Sequence, residues 1–268
     1  MGYGTPFYYS WSSSGESLVL HRNNSKLEYY SIDSANTDVI YEDGLGNFFA
    51  PNWSPVDDRI LYAGDVEKSL SSLMLLDDGK SVKLVDEVNG IIAFSWSPDG
   101  QYIAYRTLSS DAISAVYVID ANTGELVTRS NVTGIVAFFW SPDSEKIAYI
   151  TLSTPPGSFN IDAELSGQVA SLTQEEDGLA WNVLYIDDGS NQLYSSFVPT
   201  FEMQYLLGYF DQFAQSHQVW SPDSTYLVYS ERVGVDDRQS MITILNTDLP
   251  DAEPFQLIEG TFGVWSFD

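Results

Sequence analysis

The chain has 268 residues, 44% of them hydrophobic and 14% aromatic, enough apolar material for a sizeable core and far from a disordered composition. Thirty-eight Asp and Glu face eleven Lys and Arg, a formal net charge of -27, which repels phosphate backbones and anionic membranes and leaves cationic ligands, metal ions or basic proteins as the electrostatically allowed partners. Cysteine is absent, so disulfides, thiolate metal sites and a cysteine nucleophile are excluded.

The first residues, Met1 to Thr5, carry neither a basic n-region nor an apolar h-region, so no signal peptide is visible in this chain. No apolar run approaches the ~20 residues of a membrane span. A first strand is predicted from Pro6 to Trp11, followed by the turn Ser12-Ser13-Ser14-Gly15 and a second strand around Leu18-Val19-Leu20. A third strand ends near Asp33. The next Trp-Ser pair, Trp53-Ser54, opens the turn Ser54-Pro55-Val56-Asp57, and the strand Ile60-Leu61-Tyr62 follows.

The unit from Ile91 shows the pattern in full. Ile91 to Trp96 reads as a strand, Ser97-Pro98-Asp99-Gly100 as a turn, and Tyr102-Ile103-Ala104-Tyr105 as a second strand. Pro presets φ, Asp bonds the local backbone and Gly accepts a positive φ. A third strand, Val116 to Asp120, meets the turn Ala121-Asn122-Thr123-Gly124. A fourth strand, Glu125 to Thr128, closes the unit. Later copies start at Trp140-Ser141 and Trp220-Ser221, and a last Trp-Ser pair, Trp265-Ser266, stands almost at the end.

Successive tryptophans of these pairs are 42, 43, 44, 80 and 45 residues apart. A period of roughly 40–45 residues, read as four short strands, is that of a propeller blade. The long gap is accounted for by two insertions in one blade, at about 153–180 between its second and third strands and at about 198–214 after its fourth. The regular recurrence assigns the tryptophans to packing between units and the turn aspartates to turn formation, not to a binding ring or a metal.

Trp-Ser-Pro-Asp-Gly followed by Ile-Ala-Tyr, with a later strand ending in Asp-x-x-Thr-Gly, resembles the TolB-like, WD40-like β-propeller repeat, over residues 5–268 apart from the insertions. The resemblance implies an all-β propeller forming a single domain over residues 1–268. Counting the units predicts five complete four-stranded blades plus one extra C-terminal strand, as a ring with an accessory strand or as an incomplete, open ring. The orphan last strand favours the open arc. Related propellers include TolB, peptidase-associated propellers and oligogalacturonate lyases, so the resemblance is specific for fold and not for function. It implies a periplasmic or extracellular protein, with a cytoplasmic one left open by the missing signal.

Function tends to reside in additions to a scaffold. The first insertion is polar, with the acidic run Glu175-Glu176-Asp177. The second is rich in aromatic residues, and Tyr205, Tyr209 and Phe213 recur at the spacing of one helix face. Tyr209, Asp211, Gln212, Gln215, Ser216 and His217 are therefore the candidate ligand-binding residues, expected near one mouth of the propeller channel.

Catalytic machinery is not expected. Ser216, His217 and Asp211 are near one another in sequence, but a triad is defined by geometry, and no Gly-x-Ser-x-Gly elbow occurs. His21 and His217 are the only histidines, too few for a multi-histidine metal site. Neither an EF-hand loop nor a phosphate-binding glycine loop appears. The expectation is a non-enzymatic binding or scaffold protein for a protein or small-molecule partner, with no cofactor, no metal and no nucleic acid. The alternative is the accessory propeller of a prolyl-oligopeptidase-type peptidase or a lyase-like propeller enzyme.

Overall fold

The computed structural model describes residues 7–22, 26–41, 50–67, 70–109, 113–152, 178–214, 216–234 and 239–266. These fall into two compact units: Met1–Ser109 with Tyr117–Val127, and Ser110–Val116 with Thr128–Asp268. Most of the first predicted insertion, residues 153–177, lies outside the described residues.

The first unit is built from up-and-down antiparallel meanders. Strands β1 (Phe7–Trp11), β2 (Ser17–Arg22), β3 (Lys26–Ser31) and β4 (Thr37–Tyr41) form one sheet in chain order. So do β5 (Asn52–Trp53), β6 (Ile60–Glu67), β7 (Leu70–Asp77) and β8 (Lys80–Asn89). The third sheet holds β9 (Ile91–Trp96), β10 (Tyr102–Leu108), β11 (Tyr117–Asp120) and β12 (Leu126–Arg129).

Alternation of apolar and polar residues puts one set of side chains on each face, and the buried sets meet between successive sheets. Val19 and Leu27 of the first sheet pack with Trp53, Ile60 and Tyr62 of the second. Leu61, Leu73 and Leu75 of the second pack with Ile92, Phe94, Trp96, Ile103 and Ile119 of the third.

The Trp-Ser landmarks have a clear physical role. Four of the serine hydroxyls accept the backbone N–H five residues on: Ser12 from Ser17 at 3.1 Å, Ser97 from Tyr102 at 2.9 Å, Ser141 from Lys146 at 2.9 Å and Ser221 from Tyr226 at 2.8 Å; Ser54 accepts instead from Asp57 N at 3.3 Å and Val56 N at 3.4 Å. The turn aspartates 99, 143 and 223 accept from those serine hydroxyls at 2.5–2.6 Å and from a backbone N–H two residues on. They are turn formers, as their spacing predicts. At the fourth turn position Gly100 has φ +69°, and Ser144 and Ser224 bear the same left-handed conformation at φ 65° and 60°.

Three of the landmark tryptophans, Trp53, Trp96 and Trp220, sit between sheets of their own unit. Trp53, Trp96 and Trp220 are 3%, 4% and 1% exposed, against 47% for Trp11. Trp96 Nε1 donates to the Asn52 carbonyl in the neighbouring first strand at 3.1 Å. A basic residue six positions beyond one tryptophan covers the ring of the next. The Arg59 guanidinium lies 4.9 Å from the Trp96 ring, and Lys146 Nζ lies 5.3 Å from the Trp220 ring.

The second unit carries β13 (Ile135–Trp140), β14 (Lys146–Leu152), β15 (Leu179–Tyr185) and β16 (Asn191–Phe197) as a four-stranded meander. Leu152 pairs directly with Leu179, so the first insertion leaves and re-enters at the end of the β14–β15 hairpin. Two short helices follow, α1 (Phe201–Gly208) and α2 (Phe210–Phe213), and then β17 (Tyr226–Val233), β18 (Gln239–Asn246) and β19 (Phe255–Glu259).

The last sheet differs from the expected four-stranded blade. It has three full strands, and the predicted first strand is reduced to the bridge Trp220↔Leu227. The reason is competition for the edge: farther along β17 it is taken by the start of the second insertion, through Pro199↔Glu231 and the bond from Arg232 N to the Val198 carbonyl at 2.7 Å. The extra C-terminal strand is likewise a single bridge, Gln218↔Trp265, with Trp265 N donating to the Gln218 carbonyl at 2.9 Å.

Candidate functional site

The second insertion is anchored before it displays anything. Thr200 caps α1, its hydroxyl accepting from Met203 N at 3.2 Å and donating to the Thr261 carbonyl at 2.7 Å. Met203, Leu206, Leu207 and Phe210 are all buried. Phe210 packs on Phe138 at 4.8 Å and on Phe139 at 6.1 Å, ring centre to ring centre. Beneath lies an aromatic core in which Trp181, Phe197 and Tyr229 touch pairwise at 4.7–6.0 Å. Burial, and after it the Glu231 carboxylate, pushes the Tyr229 phenol well above its ordinary range, so this core stays uncharged.

The predicted helix face exists with a break in it. The chain leaves helical geometry at Tyr209, φ -129°, between α1 and α2. The aromatic row continues across the break, while Phe210 of α2 turns away from it into the core. Tyr205 lies 5.1 Å from Tyr209 and 6.1 Å from Phe213; Phe213 lies 4.8 Å edge-on from His217; His217 lies 5.7 Å from Phe262. Tyr205 is 50% exposed and Phe262 37%.

Of the six candidate residues, Tyr209 and His217 belong to this ladder and are joined through Tyr205 and Phe213. Asp211 and Gln212 are half-buried on α2, beside the ladder in sequence. Gln215 lies outside the described residues. Ser216 is exposed, with its hydroxyl 2.7 Å from His217 Nδ1 and 3.4 Å from the Phe213 carbonyl, which orients the imidazole. Phe262 is the ladder member that sequence reading missed. It is 45 residues from His217 and belongs to no periodic pattern. Its place follows from the Thr200–Thr261 bond and from Gly260 and Gly263, whose missing side chains let the segment lie against Ile242.

With up-and-down antiparallel sheets in both units and buried tryptophans between neighbouring sheets of the same unit, comparison with known structures decides the architecture. TolB from Acinetobacter baumannii matches 95% of this chain with TM-score 0.54 at 15% identity. An oligogalacturonate lyase in complex with manganese matches 94% with TM-score 0.59 at 13% identity, and the open-velcro propeller domain of the Trilobed protease from Pyrococcus furiosus 94% with 0.58 at 13%.

The fold is a TolB-like β-propeller.

This propeller spans 55% of the TolB chain, 65% of the lyase and 72% of the protease domain. No family model and no curated protein matches its sequence. Among the described residues of the propeller, no group of three or more His, Asp or Glu is arranged to hold a metal ion, and no helix is long and apolar enough to cross a membrane. The chemistry its ladder offers is π-faces, phenol hydroxyls and one imidazole, with Glu202 and Asp211 in the first turns of the two helices.

Proposed function

We propose that this propeller is a non-enzymatic binding or scaffold protein, acting in the periplasm or outside the cell, whose second insertion presents a recognition surface to a partner. The observation that carries the reading is the division of labour within the insert. Its apolar residues Met203, Leu206, Leu207 and Phe210 are consumed in anchoring it, yet a second set of rings runs from exposed Tyr205 through half-buried Tyr209, Phe213 and His217 to exposed Phe262. Exposed aromatic rings on a rigid support are what binding surfaces are made of. The compartment is carried by the resemblance to exported propellers alone.

The test has two arms. A photo-crosslinking amino acid at position 205 or 213 in the producing cell is expected to trap a discrete protein adduct that the same probe at exposed Leu126 does not. Equal trapping at both places would count against the insert as the recognition surface. The purified chain is expected to show no peptidase, esterase or pectate-cleaving turnover with or without divalent metal. Turnover abolished by His217→Ala would overturn the non-enzymatic reading.

A further inference from the structure

We infer that the ladder Tyr209–Tyr205–Phe213–His217–Phe262 is a docking strip for an extended, basic polypeptide segment whose lysine or arginine side chains lie on the rings. This rests on the binding role proposed above and names the partner's chemistry.

Three observations converge on a cationic peptide. The first is charge. Residues 201–218 hold Glu202 and Asp211 and no lysine or arginine, in a chain of net charge -27. A cation approaching the strip therefore meets attraction at long range and at the surface, and an anion meets repulsion.

The second is ring chemistry. The faces of tyrosine and phenylalanine attract cations. This protein already uses that contact internally, with Arg59 over Trp96 and Lys146 over Trp220.

The third is spacing. Successive ring centres in the ladder are 4.8–6.1 Å apart. Alternate side chains of an extended chain repeat every ~6.8 Å, somewhat longer than the spacing of these tilted rings, and the long flexible stems of lysine and arginine take up the difference, so one strand can bring several cations to the strip. A lone small cation would cover one ring and leave the rest of the strip exposed. The platform is held in place: Thr200 ties the start of α1 to the segment carrying Phe262, and Phe210 pins α2 to β13.

The experiment is a fluorescence anisotropy titration of the full chain with labelled nine-residue peptides alternating Lys-Ser, Leu-Ser or Glu-Ser. The Lys-Ser peptide is expected to bind at least ten-fold more tightly than either of the others. Tyr205→Ser with Phe213→Ser is expected to weaken that binding at least ten-fold while the protein still unfolds in one cooperative transition, and Tyr205→Phe to preserve it.

Net charge is separated from local recognition by two matched variants. E202Q/D211N must weaken binding more than D33N/D77N, which removes the same charge from the other unit. Equal weakening by the two pairs, or binding indifferent to loss of the rings, means bulk attraction and overturns the proposal. Ring-dependent binding of the Leu-Ser peptide in preference to Lys-Ser would overturn the cationic class while leaving the insert a binding surface. Binding of the Lys-Ser peptide that photo-crosslinks only outside 201–217 and 262 would overturn both.

Discussion

Trp220 donates its indole N–H to the Phe139 carbonyl at 3.0 Å, tying the last sheet of the second unit to the first strand of the sheet before it. Trp96 and Asn52 make the same bond in the first unit. Trp220→Phe removes the donor, leaves a buried carbonyl short of one partner and opens a gap, so a loss of about 2–4 kcal/mol in urea unfolding is expected. Trp11→Phe is expected to change stability by less than about 0.5 kcal/mol, because Trp11 is half-exposed. Similar losses at both positions would remove the link between burial and the repeat.

Arg59 joins two sheets of the first unit. It stacks over Trp96, donates its Nε–H to Asp57 Oδ2 at 2.9 Å, and donates to Asn122 Oδ1 at 3.0 Å and to the Gly100 carbonyl at 3.3 Å. Its side chain is largely buried. Arg59→Leu is expected to cost about 2 kcal/mol. Arg59→Lys should recover only part of that, since an ammonium cannot span the same set of acceptors. Calorimetric melting of the three proteins orders them.

Acid should weaken the first unit through two aspartates. Asp120 is held below its ordinary pKa by the backbone N–H of Thr123 and then of Asn122. For Asp57 burial acts upward, and hydrogen bonds from Arg59 and Ser54 outweigh it, for a net lowering. A depressed folded-state pKa contributes stability that is complete above the unfolded value of about 3.9 and is lost as pH falls through the folded value. The stability difference between wild type and D120N is therefore expected to shrink as pH is taken from 6 to below 4. A pH-independent difference, measured by urea unfolding at each pH, would refute the linkage.

Residues 153–178 can be exchanged for Asn-Gly. Leu152 and Leu179 are paired partners, so a two-residue turn closes the hairpin without moving either strand. The shortened protein is expected to unfold in one cooperative transition within about 1 kcal/mol of the parent. A lost or split transition would show that the segment is needed for the fold.

Much of the fold was legible because each blade writes its own turn. The Ser-Pro-Asp pattern encodes local bonds, Ser97 to Asp99 and Ser97 to Tyr102, that need no distant partner. Strand ends at Trp11, Trp96 and Trp140 fall where the landmarks put them. The thinning of the last sheet was not legible. It depends on Pro199 competing for the edge of β17, a contact 32 residues apart in sequence. Tyr205, Tyr209 and Phe213 were visible as a helix spacing, whereas the break at Tyr209 was not, since the same ring spacing fits one helix or two.

By itself, then, the amino-acid order determined the repeat, the turn chemistry, the acidic surface and the two places where the regular pattern is interrupted, all of them properties of residues within a few positions of one another. Tertiary structure alone decided that Phe262 completes the ring ladder, that Thr200 holds the insert to the C-terminal segment, and which insert rings are buried and which stay at the surface. Those outcomes depend on packing between segments far apart in the chain, and short-range periodicity carries no record of it.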